Sequence, residues 1–281
     1  MINLKQYLTR QQHLINKAIV NYLPNRNSTP VALYKAMSYS TNSGGKRIRP
    51  ILTLATGKML GAKENELLPV ACAIEFVHTY SLIHDDLPAM DNDDFRRGKP
   101  TVHKKFGEAV AILAGDALLT RAFEIIATEV KDVKLSQRLT SEISHAVGAE
   151  GMVGGQVLDL EFTQKSSLIK RNPLEDTRFN KLYDKMLLMK TANLIQSAIL
   201  CGAIIARANN KLLFYLSIYG NHLGLAFQLK DDAIDSPRQE KDRCLIKAKY
   251  HIEHAKITLN HLGKKTEVLQ SLADYVINRT Y

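Results

Sequence analysis

The spacing of apolar residues constrains the fold more than any other feature of this sequence. In LLPVACAIEFVHTYSLI, residues 67–83, apolar side chains recur at i, i+3, i+4, i+7 and i+10: Leu67, Val70, Ala71, Ile74 and Val77. This spacing places them on one face of an α-helix. Alternation with a period of two residues, bounded by hairpin turns, is hard to find anywhere in the chain. The sequence therefore predicts an all-α protein.

The same helical spacing recurs along most of the chain, with Pro and Gly between the periodic segments. It predicts further helices over residues 4–22, 49–60, 109–129, 135–147, 181–206, 212–232 and 243–262. No linker rich in Gly, Ser or Pro divides the sequence and no repeat of constant period occurs, so we predict a single domain over residues 1–281. The stretch 162–179 has little periodicity and is predicted to be an exposed connection.

Charge and cysteine content narrow the class of protein. Lys and Arg outnumber Asp and Glu by 38 to 28, a formal net charge of +10. This excess favours an acidic partner such as nucleic acid, an anionic membrane or a phosphorylated substrate. The three cysteines, Cys72, Cys201 and Cys244, are widely spaced and form no CxxC pair. They are therefore predicted to be buried thiols of a reducing compartment.

Neither a signal peptide nor a membrane span is predicted. The first 24 residues mix charged and apolar side chains and lack the apolar core and cleavage site of a signal peptide. The longest apolar run, residues 191–206, is short for a membrane span and contains Asn193, Gln196 and Ser197, so we predict a buried helix. We expect a cytoplasmic protein without stable membrane association.

An acidic stretch, HDDLPAMDNDDFRRGKPT at residues 84–101, places five aspartates within ten residues and follows them at once with basic residues. Like charges this close are unfavourable unless a cation lies among them. Pro88 cannot donate to the carbonyl of His84, so the helix is expected to bulge or stop there and to let Asp91 return towards Asp85. Mg²⁺ suits this site, because it commonly binds one or two carboxylates together with substrate phosphates.

A second acidic motif, DDAID at residues 231–235, also lies at the end of an apolar helical stretch. Asp231 and Asp235 are four residues apart, so on a helix their carboxylates project from one face about 6 Å apart. Aspartate pairs at solvated helix ends are common, and this motif alone is weak evidence for chemistry. Two such motifs strengthen the prediction of metal sites that face each other across a cavity.

Basic and polar residues elsewhere suggest anion binding. In SGGKRIRP, residues 43–50, the glycines let backbone amides turn towards an anion, and Lys46 and Arg49 are spaced to grip a phosphate together. A solvated basic loop fits this stretch equally well. Further candidates lie along the helices that carry the acidic motifs or head the apolar stretch 191–206: His78, Lys190, Thr191 and Gln228. Each alone is also explained as a hydrogen-bonded core residue.

Together these motifs resemble those of the trans-isoprenyl diphosphate synthases, most closely the bacterial farnesyl diphosphate synthases. The resemblance runs from about residue 34 to residue 232 through GGKRIRP, EFVHTYSLIHDDLPAMDNDDFRRGKPT, FGEAVAILAGDALL, GMVGGQVLDLE, the KT of LLMKTANLI, and GLAFQLKDDAID. It implies the isoprenoid synthase fold, a single-domain bundle of antiparallel helices around a central cavity, and a homodimer. It also implies head-to-tail condensation of isopentenyl diphosphate with dimethylallyl or geranyl diphosphate to give farnesyl diphosphate, and no nucleic-acid partner.

The resemblance implies a role for each matched residue. Several Mg²⁺ ions bridging the allylic diphosphate would be held by Asp85, Asp86, Asp91, Asp231 and Asp235. The allylic substrate would lie among Arg96, Lys190, Thr191 and Gln228, and isopentenyl diphosphate among Lys46, Arg49, His78 and Arg97. The catalytic set would stabilise charge on the departing diphosphate and would comprise Asp85, Asp86, Asp91, Arg96, Lys190 and Asp231.

Product length is expected to depend on Tyr80, which precedes Asp85 by five residues, about 7.5 Å along a helix. The resembled family places its chain-length wall there, and Phe76 lies one turn further along. A ring at this position would stop growth after two condensations, at farnesyl diphosphate. An ordinary core aromatic would occupy the same position without that role.

The sequence departs from the family after the second acidic motif. The family continues through a loop with a GK and then a K-x-TYP stretch, whereas DDAIDSPRQEKDRCLIKAKY is shorter and lacks both. Lys241 and Lys247 are the candidates to replace those lysines. Two alternatives stay open: a class I terpene cyclase, which needs no second diphosphate site, and a non-catalytic partner subunit of a heteromeric prenyl synthase.

Overall fold

A computed structural model describes residues 3–168, 177–235 and 238–279. Its α-helices are α1 (Leu4–Tyr22), α2 (Val31–Thr41), α3 (Ile48–Met59), α4 (Glu64–Asp85), α5 (Val102–Phe106), α6 (Glu108–Glu129), α7 (Val133–Val147), α8 (Met152–Leu168), α9 (Thr177–Leu187), α10 (Asn193–Ile205), α11 (Asn210–Asp235), α12 (Arg238–Leu259) and α13 (Glu267–Asn278). A π-helical turn, Leu188–Ala192, joins α9 to α10, and a 3₁₀ turn, Asn260–Leu262, follows α12. The strands β1 (Phe95–Arg96) and β2 (Lys99–Pro100) form one short antiparallel hairpin. The all-α prediction is confirmed.

The helices form two compact units. The N-terminal unit comprises Lys5–Leu54 and Lys63–Thr140, and the C-terminal unit comprises Met1–Leu4, Ala55–Ala62 and Ser141–Tyr281. In the N-terminal unit, α4 packs against α6, and every residue from Leu67 to Val77 except Leu68 is buried. A helix that is buried on nearly all sides is apolar all round, which is the pattern of residues 67–77. Because α4 ends at Asp85, three residues before Pro88, the predicted helix stop is confirmed.

In the C-terminal unit, α11 packs along α10 and α12. The core of this unit includes α10, which is almost wholly buried, so the prediction of a buried helix in residues 191–206 is confirmed. Two helical stretches, Glu64–Asp85 and Lys181–Ile205, are long and apolar enough to cross a membrane by length and composition. Their apolar windows are 72% and 67% buried within the chain, as is usual for core helices.

Helix positions differ from the prediction in several places. Four helices were not predicted: α2, α5, α8 and α13. The exposed connection predicted over 162–179 is wrong at its start, because α8 continues to Leu168; residues 169–176 lie outside the described part of the chain. A helix already formed extends at little cost through residues of modest propensity, which explains the continuation. The single helix predicted over 181–206 is interrupted by the π-helical turn Leu188–Ala192.

Candidate active site

The glycine loop of the N-terminal unit is shaped by its contact with Arg97. Gly44 and Gly45 have φ of +87° and +123°, which residues with a Cβ rarely adopt. The Arg97 guanidinium donates a hydrogen bond to the Gly44 carbonyl. A Cβ on Gly45 would lie 2.7 Å from the guanidinium carbon, so any other residue would displace this arginine as well as strain the backbone. The loop therefore brings a cation to its own backbone, as an anion site requires.

Arg47 anchors this loop from the inside. It is buried, and its Nη1 lies 2.5 Å from the Glu75 carboxylate on α4. It also donates to Asn16 on α1, at 2.9 Å, and to the Thr41 carbonyl. Because these contacts use the whole guanidinium, Arg47 holds the loop in place, which the sequence did not reveal. Helix α3 begins at Ile48, so Lys46 precedes the first turn instead of lying on it.

Two residues predicted to bind isopentenyl diphosphate lie together in this unit. Arg49 Nη1 is 3.3 Å from His78 Nε2. Burial, and then the charges of Arg49 and Arg97, lower the pKa of His78 well below its usual value. The ring is therefore neutral, and because a guanidinium only donates, Nε2 accepts and the ring proton is on Nδ1. The cationic Arg49 and the neutral His78 imidazole therefore lie side by side.

The first acidic motif folds back on itself as predicted. The Asp91 N–H donates to the Asp85 carbonyl at 2.8 Å, and the Asn92 N–H donates to the Leu87 carbonyl at 3.1 Å. Asn92 adopts a left-handed φ of 54°, which asparagine tolerates better than most residues. The backbone thus brings Asp91 next to the end of α4, where Asp85 lies.

Asp86 contacts an arginine of the same site. It is only 3% exposed, and its Oδ1 accepts a hydrogen bond from Arg96 Nε at 2.6 Å. Burial raises the pKa of Asp86 and the charge of Arg96 opposes that rise. Arg96 ends β1, and the following residues, Arg97 and Gly98, have φ of 53° and 72°, as in the tight turns that connect short hairpins. The hairpin therefore presents the two predicted substrate-binding arginines in succession.

In the C-terminal unit, side-chain hydrogen bonds hold the candidate residues in place. Lys190, on the π-helical turn, donates to Asp159 on α8 at 2.6 Å. Gly155, one turn before Asp159, makes this approach possible, because a Cβ there would lie 2.2 Å from the Lys190 backbone nitrogen. π-Helical turns inside α-helices frequently mark functional sites. The turn thus supplies a positioned lysine at the head of α10.

A hydrogen-bonded chain extends from the same turn to the second acidic motif. Thr191 Oγ1 donates to Gln228 Oε1 at 2.7 Å, and Gln228 Nε2 donates to Asp232 Oδ1 at 2.9 Å. The Tyr183 hydroxyl donates to the other oxygen of Asp232. Burial raises the pKa of Asp232, while these two hydrogen bonds lower it. The structure therefore joins Thr191 to Gln228, as the resemblance implies.

Asp231 faces the last described residue of the chain. Its Oδ1 lies 2.7 Å from Arg279 Nη2, and the Arg279 guanidinium carbon lies 3.8 Å from the centre of the Phe227 ring. The second metal candidate of this motif, Asp235, is the last residue of α11, and its side chain lies outside the described part of the structure.

Within residues 3–168, 177–235 and 238–279, no group of three or more His, Cys, Asp or Glu side chains is placed to hold a metal ion. Mg²⁺ does not need such a group, because it usually keeps one or two carboxylates and completes its shell with water and substrate phosphates. The hard oxygen donors of Asp85 and Asp91, brought together by the backbone, fit that requirement.

A model of the polyprenyl synthetase family matches residues 30–262. The chain belongs to the polyprenyl synthetase family. This family acts on isopentenyl diphosphate and allylic diphosphates, and the chain is accordingly a prenyl diphosphate synthase. The terpene cyclase and the non-catalytic partner subunit are not favoured.

Three similar proteins illustrate the range of polyprenyl synthetases. The chain is 46% identical to a farnesyl diphosphate synthase of Geobacillus stearothermophilus, over 83% of this chain and 76% of that protein. It is 39% identical to a geranylgeranyl diphosphate synthase of Cyanophora paradoxa, over 99% of this chain and 97% of that protein. A crystal structure of an FPP/GFPP synthase from Zymomonas mobilis superimposes with a TM-score of 0.87 at 35% identity, covering 98% and 99% of the two chains.

Over the aligned region, this polyprenyl synthetase has fewer residues than the Cyanophora protein. That alignment covers 302 positions, 21 more than the 281 residues of this chain. The relative therefore has at least that many residues without a counterpart here.

Several supporting residues were missed by the sequence reasoning: Glu75, Asp159, Tyr183, Asp232 and Arg279. Asp159 had a usable signal, because it follows Gly155 by four residues and so shares a helix face with it. Apart from Gln228, four residues before Asp232, the partners of the others are at least 28 residues away along the chain. No local pattern reveals such pairs.

Proposed function

We propose that this prenyl diphosphate synthase makes farnesyl diphosphate, by two successive condensations starting from dimethylallyl diphosphate. The observation that supports this product is Tyr80, a buried ring on α4 five residues before Asp85. Phe76, fully buried one turn further along, extends the same aromatic block. Burial raises the pKa of Tyr80 to about 12, as expected for a phenol in apolar surroundings, and such surroundings suit contact with a hydrocarbon chain.

The residues divide by substrate in this proposal. Isopentenyl diphosphate is bound in the N-terminal unit by four side chains: Lys46, Arg49, His78 and Arg97. The allylic diphosphate is bound by Arg96, Lys190, Thr191 and Gln228. The contacts of Arg49 with His78, and of Thr191 with Gln228, support this division, because residues assigned to one substrate touch one another.

The reaction needs charge stabilisation more than it needs a nucleophile. Breaking the allylic C–O bond leaves the electron pair on the diphosphate, where Arg96 and Lys190 stabilise the developing charge. The double bond of isopentenyl diphosphate then attacks the allylic cation, and loss of a proton to the departing diphosphate restores neutrality. Asp86 and Asp159 keep the two cations in place.

Magnesium completes the proposal. Asp85 and Asp91, together with Asp231 and Asp235, would hold the ions, with Asp86 assigned to Arg96 on the strength of their contact. Mg²⁺ when bound would neutralise the diphosphate as it leaves.

We also propose a cytoplasmic homodimer. On α6, Ile112 and Leu113 are 45% and 57% exposed, although they are apolar and adjacent. Exposed apolar surface of this kind often marks a protein interface. Light scattering after size exclusion should give twice the 31.5 kDa mass of one chain. A mass of 31.5 kDa at micromolar concentration would remove the dimer from the proposal.

The product assignment is tested at Tyr80. Tyr80→Ala should open space for a longer tail and shift the product from fifteen carbons to twenty or more. Tyr80→Phe keeps the ring and is the matched control, so its product should be unchanged. Chromatography of the dephosphorylated products distinguishes these outcomes. A wild-type product of twenty carbons would favour geranylgeranyl diphosphate instead, the activity named for the Cyanophora relative.

A further inference from the structure

A histidine beside the first acidic motif connects α4 to α6 in the N-terminal unit. His84 Nε2 lies 3.1 Å from the carbonyl oxygen of Ile112. A carbonyl oxygen only accepts hydrogen bonds, so Nε2 carries the ring proton and donates it. The carboxylate of Asp116 lies 3.9 Å from the same nitrogen, which is too far for a hydrogen bond. The backbone of α6 therefore sets the orientation of the His84 ring.

A glycine of α6 makes room for this ring. A Cβ on Gly115 would lie 2.1 Å from His84 Nε2, and 2.5 and 2.9 Å from the ring carbons Cδ2 and Cε1. Non-bonded carbon atoms have their optimal separation at about 3.5–4.0 Å, so the ring and a Cβ cannot occupy these positions together. Glycine inside a helix is unfavourable compared with alanine. The close approach of His84 explains why a glycine is present at this buried position.

The His84 ring also contacts Tyr80. The two residues are one turn apart on α4, and a helical side chain points back over the preceding turn. Their ring centroids lie 5.7 Å apart with the ring planes at 80°, the edge-to-face arrangement that aromatic rings favour. Tyr80 is 5% exposed, so packing defines the position of its ring. The His84 side chain thereby links α6 to the Tyr80 ring.

We propose that His84 is a positioning residue for product length. Held by the Ile112 carbonyl and accommodated by Gly115, it keeps the Tyr80 ring across the path of the growing prenyl chain. This inference rests on the role proposed for Tyr80, and His84 itself contacts no substrate in it. Without the His84 ring, the Tyr80 ring can turn towards α6 into the vacated space, because packing no longer restricts its rotamer. The prenyl tail then gains room to lengthen.

Product length in three variants is the test, measured by chromatography of the dephosphorylated products formed with excess isopentenyl diphosphate. His84→Ala should raise the share of products longer than that of wild type roughly fivefold or more, the size expected for the loss of one aromatic contact. Gly115→Ala should do the same, because the new Cβ displaces the ring. In the double variant, Gly115→Ala should add nothing to His84→Ala, since the three nearest neighbours of that Cβ all belong to His84.

Ile126→Ala is the matched control for lost stability in the same helix. Ile126 is fully buried on α6 and lies about 16 Å along the helix from Gly115. Its truncation should lower the melting temperature, as large-to-small changes in a core do, and leave product length unchanged.

Three results would overturn the inference: wild-type product length in His84→Ala, an equal shift in Ile126→Ala, and products of the double variant longer than those of His84→Ala. If Gly115→Ala does not fold, His84→Ala decides alone, because that side chain is 30% exposed and its removal is tolerated. A wild-type product of twenty carbons would end the proposed farnesyl assignment, whereas further lengthening in His84→Ala would still support His84. Fifteen carbons from wild type and from His84→Ala would remove this inference alone.

Discussion

Loops position several candidate residues of the N-terminal unit, whereas helices hold those of the C-terminal unit. In the N-terminal unit, left-handed backbone at Gly44, Gly45, Asn92 and Arg97 shapes the anion loop and the aspartate loop. In the C-terminal unit, side chains from separate helices contact each other, as Lys190 contacts Asp159. The first arrangement depends on local backbone conformation, and the second on tertiary packing.

This difference determines which substitutions disrupt the candidate residues of each unit. A loop with positive φ fails when a glycine gains a Cβ, because the backbone conformation itself becomes costly. A side-chain network fails when one partner is removed, because the other is left buried without its hydrogen bond.

The largest effect is expected from the two aspartate motifs. Asp85→Ala and Asp231→Ala should each lower turnover by roughly a hundredfold to several orders of magnitude, because each removes a carboxylate proposed to stabilise transition-state charge. Asp231→Ala should also lower the melting temperature, since Arg279 is 4% exposed and loses its carboxylate. Asp85→Ala should keep the fold.

Initial rates and thermal unfolding of both variants check this contrast. Near-normal turnover of Asp85→Ala would refute the metal assignment at the first motif. A melting temperature of Asp231→Ala equal to that of wild type would show that the Asp231–Arg279 contact contributes nothing to stability.

A smaller effect separates the two substrates. Lys46→Ala should raise KM for isopentenyl diphosphate by roughly tenfold to a hundredfold, and Lys190→Ala should do the same for the allylic diphosphate, since a charge-assisted contact is worth about 1.5–3 kcal/mol. The two changes are chemically identical, so each is the control for the other. Steady-state kinetics with one substrate saturating measures the split. Equal effects on both substrates in either variant would end the division proposed here.

The smallest effect is the contribution of the His222–His251 pair to the pH dependence of stability. Burial lowers the pKa of His251 to about 4 and also lowers the pKa of His222. In the unfolded chain these groups bind protons near pH 6.5, so between about pH 6.5 and 4 the unfolded state binds more protons and stability falls as pH falls. His251→Gln should therefore reduce the loss of stability on acidification.

Urea unfolding at pH 7.5 and pH 5 measures this difference. The matched control is His13→Gln, at an exposed histidine of α1, which should unfold like wild type at both values. A pH dependence of His251→Gln equal to that of wild type would show that the histidine pair does not titrate between these values.

The loop conformations of the N-terminal unit were largely predictable from the sequence. Gly44 and Gly45 before Lys46, and Pro88 between Asp85 and Asp91, are short-range patterns whose backbone consequences follow from sterics. The return of Asp91 to Asp85 was predicted for that reason and is confirmed by a backbone hydrogen bond. The helical class was predictable as well, because periodicity is a local property.

The side-chain contacts of the C-terminal unit were less predictable. Asp159 and Lys190 are 31 residues apart, and Tyr183 and Asp232 are 49 apart, so tertiary packing alone brings them together. The π-helical turn at Leu188–Ala192 also lacked a signal, since its residues fit an ordinary helix. Likewise nothing in the sequence distinguishes Arg47 from its neighbours Lys46 and Arg49, and only its contacts with Glu75 and Asn16 reveal a structural role.

The central claim is that this polyprenyl synthetase condenses isopentenyl diphosphate with an allylic diphosphate and stops at fifteen carbons. The most direct measurement is incubation of the purified protein with MgCl₂, dimethylallyl diphosphate and labelled isopentenyl diphosphate, followed by dephosphorylation and chromatography. The account predicts label in farnesol, with geraniol as the intermediate. Absence of label from any prenyl alcohol would contradict the account, as would a cyclic hydrocarbon formed without isopentenyl diphosphate.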